Sequence, residues 1–209
     1  DRHLTLYLSQ FSCSFHSIKF LHTNIQKKQI HSNVSFFHIG YTITPENGDI
    51  LKRQITEGHA IANHSLSHNF NLLYPGRVPN QSQIVSEVNQ TMANFQAILG
   101  KDFKTRIFRY PGGHMSWQGL ESTDQALAKE GVQWIDWNML CGDAEPASVR
   151  PTTSETMMAY LDGSQKYFPE SHVKVVLMHD TAGKELTVQT LPQIIEYFKD
   201  QGYTFGVLE

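Results

Sequence analysis

The sequence predicts an α/β fold in which parallel strands are covered by outer helices. Three observations predict it. Short apolar strand-like runs alternate with helical patterns about six times along the chain. Several of those runs are apolar on both faces, as strands are when helices cover both sides of a sheet. No low-complexity stretch or long linker interrupts the alternation, so the 209 residues read as a single domain. Closed into a barrel or left open, such a sheet carries its working residues at the C-terminal ends of its strands.

Each element follows from local chemistry. Val34 to Ile39 is a buried strand ended by Gly40. Thr44 and Pro45 make a helix start, with Pro in the first turn, and that helix carries Ile50, Leu51 and Ile55 before Gly58. Ala60 to Asn63 is a short strand. Asn80 caps a helix over 81–99, whose Ile84, Val88, Met92, Phe95 and Leu99 form one apolar stripe, and Gly100 stops it. Thr105 to Tyr110 is strand-like, 122–130 helical, and Val132 to Trp137 strand-like again. Thr152 to Leu161 is a helix and Val173 to Met178 a buried strand. A helix spans about Leu186 to Asp200, with Pro192 near its start or at a kink, and Tyr203 to Leu208 is the last strand.

Composition excludes several classes. The chain has 17 Lys and Arg against 20 Asp and Glu, a formal charge of −3, and no basic block, so nothing recruits nucleic acid or an anionic membrane. Its longest aliphatic run, Val175 to Met178, falls far short of the ~20 residues of a membrane span. An apolar fraction of 40% argues for a packed core over disorder. Two cysteines make no disulfide framework, and a Cys13–Cys141 bridge does not follow from sequence. No signal-peptide pattern is visible.

Four segments carry chemistry. In Asn63-His64-Ser65-Leu66-Ser67-His68, a helical turn would put both imidazoles on one face to grip a metal ion, of the zinc, cobalt, nickel or iron kind rather than magnesium or calcium. The plain alternative is chance spacing among 11 histidines. In Phe108-Arg109-Tyr110-Pro111-Gly112-Gly113, glycines let backbone N–H groups approach a ligand and the Arg suits a carboxylate, or the segment is an ordinary loop. Trp134, Asp136 and Trp137, followed by Cys141-Gly142-Asp143, suit a sugar, or one Trp is core and the other covers loop backbone. Val176-Leu177-Met178-His179-Asp180 ends a strand on a histidine fit for general acid work, or simply half-buried.

Taken in order, His-Ser-x-x-His, Arg-x-Pro-Gly-Gly, Asp-Trp-Asn…Gly-Asp and Leu-x-His closely resemble the polysaccharide deacetylase family (the NodB homology domain, carbohydrate esterase family 4). The resemblance covers about residues 34–209, leaving 1–33 divergent. It implies a distorted (β/α) barrel that removes N- or O-acetyl groups from a cell-wall or extracellular polysaccharide, such as peptidoglycan or a chitin-like polymer. It also implies an extracellular or cell-surface setting. It implies a divalent metal, best zinc, with cobalt, nickel or manganese as alternatives, on His64 and His68. It makes His179 the general acid and Arg109 the Arg that steadies a carboxylate. Asp136 and Asp143 are both candidates for the carboxylate that orients Arg109 or His179. Gly112, Tyr110, Leu177 and Trp137 fall at substrate-binding positions, Gly112 as an oxyanion donor and Leu177 against the acetyl methyl. This requires imidazoles 64, 68 and 179 to gather at one cavity beside guanidinium 109.

The chain departs from the family at its first motif, Thr-Phe-Asp-Asp-Gly-Pro, which supplies the base and the third metal ligand. No Asp or Glu occurs between Asp1 and Glu46. Register places the lost pair near Ser12-Cys13, and Cys13, His16 and His22 are the substitutes at hand. Arg109, losing that partner, must move to solvent or find Asp136 or Asp143. Three functions remain open: a metal-dependent deacetylase, a glycan-binding descendant without catalysis, and a related metallohydrolase acting on a small amide. Tyr74, Trp117 and Trp137 lean toward a sugar.

Overall fold

The computed structural model describes residues 3–10, by their backbone, and residues 32–208 in full. Cys13, His16 and His22 therefore lie outside the described residues. The described residues divide into two compact units, one holding 3–10, 32–36 and Trp137 to Leu208, the other Phe37 to Asp136.

In the first unit, β6 (Met139–Leu140), β7 (Val173–His179), β1 (His3–Gln10) and the start of β2 (Val34–His38) lie side by side, and β8 (Thr204–Phe205) pairs the start of β1. The β1–β7, β6–β7 and β1–β8 ladders are parallel; Ser9 faces His179, and Leu140 faces Leu177. Two helices, α5 (Ser154–Ser164) and α6 (Glu185–Asp200), cover one core. Met157 and Leu161 meet Leu191, Ile194, Ile195 and Phe198 there, over Val34, Phe36, Val176 and Met178. Thr153 closes a capping box with Thr156 and so fixes the start of α5. Helix α6 begins at Glu185, which puts Pro192 in its interior; the missing N–H leaves the Val188 carbonyl without its helical donor.

In the second unit, the end of β2 is followed by β3 (Ala60–Asn63), β4 (Ile107–Phe108) and β5 (Gln133–Trp134). The β3–β4 and β4–β5 ladders are parallel. Helices α1 (Gly48–Thr56), α2 (Phe70–Leu73), α3 (Gln81–Leu99) and α4 (Glu121–Lys129) complete it. Asn80 caps α3 by accepting the Gln83 N–H, and Ile84, Val88 and Phe95 are buried as their spacing predicts. One apolar cluster of this unit gathers Leu73, Ile84, Val88, Phe108 and Leu127, and another Ile43, Leu51, Ile61 and Phe95.

Several expectations change: the strands expected over 105–110, 132–137 and 203–208 shrink to two-residue ladders, and β1, β6 and α2 were not anticipated. Among the described residues, no helix is long and apolar enough to cross a membrane. Cys141 is a free thiol in the core of the first unit, and burial, then the nearby Asp143 carboxylate, push its pKa well up, so it behaves as a small apolar side chain.

Buried His38 at the end of β2 gives the fold an acid sensitivity. Its Nε2 bonds Gln54 Oε1 at 3.0 Å, and burial, only partly offset by that bond, lowers its pKa to about 4. An unfolded chain protonates this group near pH 6.5, the folded chain only near 4. In that interval the unfolded state binds more protons, so stability falls as the pH drops, in full by roughly 3 kcal/mol. Urea unfolding of the wild type and His38→Asn from pH 7 to 4.5 should show a shallower acid loss in the variant; equal slopes would exclude this origin.

Candidate active site

The chemistry-bearing residues follow strand ends, as the fold class predicts. In the second unit His64 follows β3, Arg109 follows β4 and Asp136 lies two residues past β5. In the first unit Asp143 lies three residues past β6, and His179 closes β7.

The His64–His68 pair does meet, but not on a helix. Residues 64–69 form an irregular loop in which Ser65 (φ 64°) and His68 (φ 54°) both take left-handed conformations. Two such kinks bring the rings together edge to face, with centroids 4.9 Å apart. The loop is tied on every side. Ser65 N–H donates to Asn63 Oδ1 at 3.0 Å and His68 N–H to Ser65 Oγ at 3.1 Å. Gly40 and Tyr41 N–H groups donate to the Ser65 and Leu66 carbonyls at 2.8 and 3.0 Å. That approach demands a glycine: a Cβ at residue 40 would sit 2.5 Å from Thr91 Oγ1 and 2.7 Å from Leu66 Cδ1.

His64 Nδ1 lies 2.9 Å from the Arg109 carbonyl. A carbonyl only accepts, so Nδ1 carries the proton, and in the neutral form of the ring the lone pair is on Nε2. This is the tautomer a metal ligand needs, with the ring oriented from behind. Two adjacent imidazoles fit a divalent transition ion. Among the described residues no group of three His, Cys, Asp or Glu side chains completes a site, so the pair is the part of a ligand set seen here.

Arg109 corrects an expectation. It does not turn to solvent: it is 1% exposed, Nε donates to the Ile135 carbonyl at 3.3 Å, and the guanidinium lies over the Phe37 ring at 4.2 Å. Asp136 instead fastens the turn after Gly113, its two oxygens accepting the His114 and Met115 N–H groups at 2.9 Å each. Tyr110 is buried, and its hydroxyl donates to Asp124 at 2.7 Å, which leaves backbone groups as what this residue can offer a ligand. Burial, then the Asp124 carboxylate, raise the Tyr110 pKa, so the hydroxyl stays protonated. Gly112 has φ +80°, and Phe70 and Trp117 ring atoms lie 3.4 Å from where its Cβ would stand. Trp117 stacks on Tyr74 at 3.7 Å and donates its indole N–H to the Pro111 carbonyl. Phe70, 44% exposed, lies against the His68 ring at 5.2 Å.

In the first unit the structure chooses between the two open carboxylates. His179 Nδ1 lies 2.8 Å from Asp143 Oδ1, and Asp143 Oδ2 accepts the His179 N–H at 2.7 Å and the Thr187 hydroxyl at 3.0 Å. Lys184 Nζ donates to the Asp143 carbonyl. Burial works to raise the Asp143 pKa, but its hydrogen bonds and charge attraction to His179, with Thr187, hold it below the usual carboxylate range. With Nδ1–H committed to Asp143, proton transfer from this ring would run through Nε2. Leu177 and Trp137 are half-buried in this unit. The structure thus brings His64, His68 and Arg109 together in one unit, and His179 with Asp143 in the other.

Sequence reasoning missed several members. Asp124, Thr187 and Phe70 carry no motif. Glu87 did leave a signal: it is three residues after Ile84, a charge on the stripe that buries Ile84, Val88 and Phe95, and its carboxylate is bonded to the histidine loop.

Strand-end chemistry on parallel ladders, a paired-imidazole loop, an Arg-Tyr-Pro-Gly-Gly turn and a buried His–Asp pair define an α/β domain of the deacetylase type. The chain belongs to the polysaccharide deacetylase family, whose model matches residues 23–133. A Streptococcus mutans CE4 esterase structure is 49% identical with a TM-score of 0.94, over 100% of this chain and 86% of that one. The fold class is accordingly the family's distorted (β/α) barrel, with parallel strands and outer helices. YheN of Bacillus subtilis is 31% identical over 160 residues, 76% of this chain and 52% of YheN. A peptidoglycan-N-acetylglucosamine deacetylase of Bacillus cereus is 28% identical over 179 residues, 85% of this chain and 60% of that protein. The chain thus spans roughly half the length of these two relatives.

Proposed function

We propose that this chain is a divalent-metal-dependent deacetylase that hydrolyses N-acetyl groups on a cell-wall glycan of the peptidoglycan type, and that it works at the cell surface or outside it. The observation that carries the reading is the His64–His68 pair, with His64 held by the Arg109 carbonyl in the metal-ligand tautomer. The B. cereus relative, named for peptidoglycan N-acetylglucosamine, supports the substrate class, and the exposed Phe70 beside His68 suits the apolar face of a sugar ring.

His64 and His68 would hold the metal, zinc by the chemistry of paired imidazoles, with cobalt, nickel or manganese as alternatives. Such an ion polarises the acetyl carbonyl and makes water a better nucleophile. The remaining work belongs to this chain. Gly112 offers its backbone N–H to the oxygen that becomes anionic as water adds to the carbonyl, while the Gly113, His114 and Met115 N–H groups are taken by the Tyr110 carbonyl and Asp136. By the family resemblance, Leu177 would meet the acetyl methyl, and Trp137 and the Tyr110 backbone would be substrate-binding positions. As the C–N bond breaks, His179 Nε2 gives its proton to the leaving amine while Asp143 holds Nδ1. Acetate and a free amine result. The sequence has no acidic residue between Asp1 and Glu46 to take the water's proton; that proton goes to bulk solvent, which returns one to His179 after the amine has left.

The test is acetate release from N-acetylated chito-oligosaccharide and from peptidoglycan fragments by the zinc-loaded protein, beside metal analysis of the purified chain. Acetate release with bound metal is expected. Glycan binding with no acetate would overturn the reading in favour of a non-catalytic binder. Turnover of small cyclic amides alone would overturn it in favour of a different hydrolase.

A further inference from the structure

We infer that Glu87 is a positioning residue for the metal-binding histidines, acting through the backbone of the loop that joins them; this rests on the metal reading of His64 and His68 above. Glu87 sits on α3, twenty residues from the loop in sequence, and is 1% exposed. Its Oε2 accepts the Leu66 and Ser67 N–H groups at 3.1 and 2.9 Å. Its Oε1 accepts the Ser67 hydroxyl at 2.7 Å and Gln83 Nε2 at 3.1 Å. Among the described residues, no Lys, Arg or His forms an ion pair with it.

A buried carboxylate without a cation is expensive unless donors fill its lone pairs. Four donors fill all four sites here, three of them from Leu66 and Ser67, two of the three residues between the histidines. With no lone pair left, Glu87 can serve neither as ligand nor as base. What it can do is hold shape. Leu66 and Ser67 are flanked by Ser65 and His68, both left-handed and neither of them glycine, a conformation that costs on the order of 1 kcal/mol or more per residue. Left alone, those residues relax toward ordinary backbone and carry the rings apart. Charge-assisted bonds to the two central N–H groups oppose that relaxation. The neighbouring residue reinforces the grip: Asn63 Nδ2 donates to the Val88 carbonyl at 2.9 Å, so consecutive residues of α3 pin the loop at its entry and at its middle.

The experiment titrates metal-free protein with zinc against a chromophoric chelator. Wild type should bind one ion and His64→Ala should not; a wild type that binds none defeats the metal reading itself, an outcome distinct from any effect of the Glu87 variants. Glu87→Ala should weaken zinc binding by about 10-fold or more, the scale of losses when support behind a metal ligand is removed. Glu87→Gln keeps an oxygen for the two N–H groups, and its amide N–H groups can donate to the Ser67 Oγ and to a turned-over Gln83 amide oxygen, so it should stay closer to wild type than Glu87→Ala. Ile84→Ala, on the same helix but in the apolar core, should lower the urea midpoint without changing zinc affinity of the folded protein. Unchanged affinity in Glu87→Ala would overturn the inference, as would a Gln variant as weak as the Ala variant. If Glu87→Ala does not fold, Ser67→Ala removes the 2.7 Å link to Glu87 together with the bond that Ser67 Oγ accepts from the Asn69 N–H at 3.1 Å: weaker zinc binding upholds the inference and unaltered binding overturns it.

Discussion

His64→Ala is expected to lose its stoichiometric divalent metal and to deacetylate acetylated chito-oligosaccharide at least about 10³-fold more slowly, since Lewis-acid stabilisation is worth several kcal/mol and each 1.36 kcal/mol is a factor of about ten. The size of the effect follows from the donor set. With two imidazoles in contact, removing one leaves a single imidazole at this site among the described residues, and one neutral imidazole does not hold a divalent ion against water. His64 is the more informative of the pair because its Nδ1–H is engaged by the Arg109 carbonyl, so the substitution removes a ligand whose orientation is fixed from behind. Its ring is also buried, near Phe37, and some stability will go with it. Circular dichroism and a urea midpoint therefore accompany the metal measurement. Metal content unchanged in folded His64→Ala would remove the basis of the proposed activity.

The histidine pair was legible in the sequence, but its mechanism of pairing was not. A four-residue spacing suggests a helix face; the structure reaches the same proximity with two left-handed residues, Ser65 and His68, which no sequence signal marks because neither is Gly or Asn. Periodicity located α3 and the buried strand Val34–His38 because a single face or both faces of those segments are apolar. It overran β4, β5 and β8, since an apolar run reports how far a segment is buried, whereas a ladder's length depends on how far its neighbour runs alongside. The choice between Asp136 and Asp143 was closed to sequence for a related reason. It depends on the chain leaving β5 after Trp134 and starting a new strand at Met139, which sends one carboxylate to the His114 turn and the other to His179.

The role of that His–Asp pair shows in its dependence on the leaving group. His179→Ala should slow hydrolysis of an N-acetyl amide by about 10²–10⁴-fold, the usual reach of a general acid, yet barely slow a 4-nitrophenyl acetate ester. An amine leaves only if its nitrogen is protonated as the C–N bond breaks, whereas a nitrophenolate leaves without help. Asp143→Asn should show the same selectivity with a smaller loss. The carboxylate accepts the His179 Nδ1–H at 2.8 Å, and an amide nitrogen placed there donates and cannot, so the ring is left free to turn. Because Asp143 also accepts from the His179 N–H and Thr187, the substitution loosens the end of β7, and unfolding midpoints must be read beside the rates. Metal content should stay at the wild-type level in both variants, as neither residue belongs to the histidine loop. Equal losses on amide and activated ester would show that His179 acts on water addition or binding instead, and would take the general-acid role away from it.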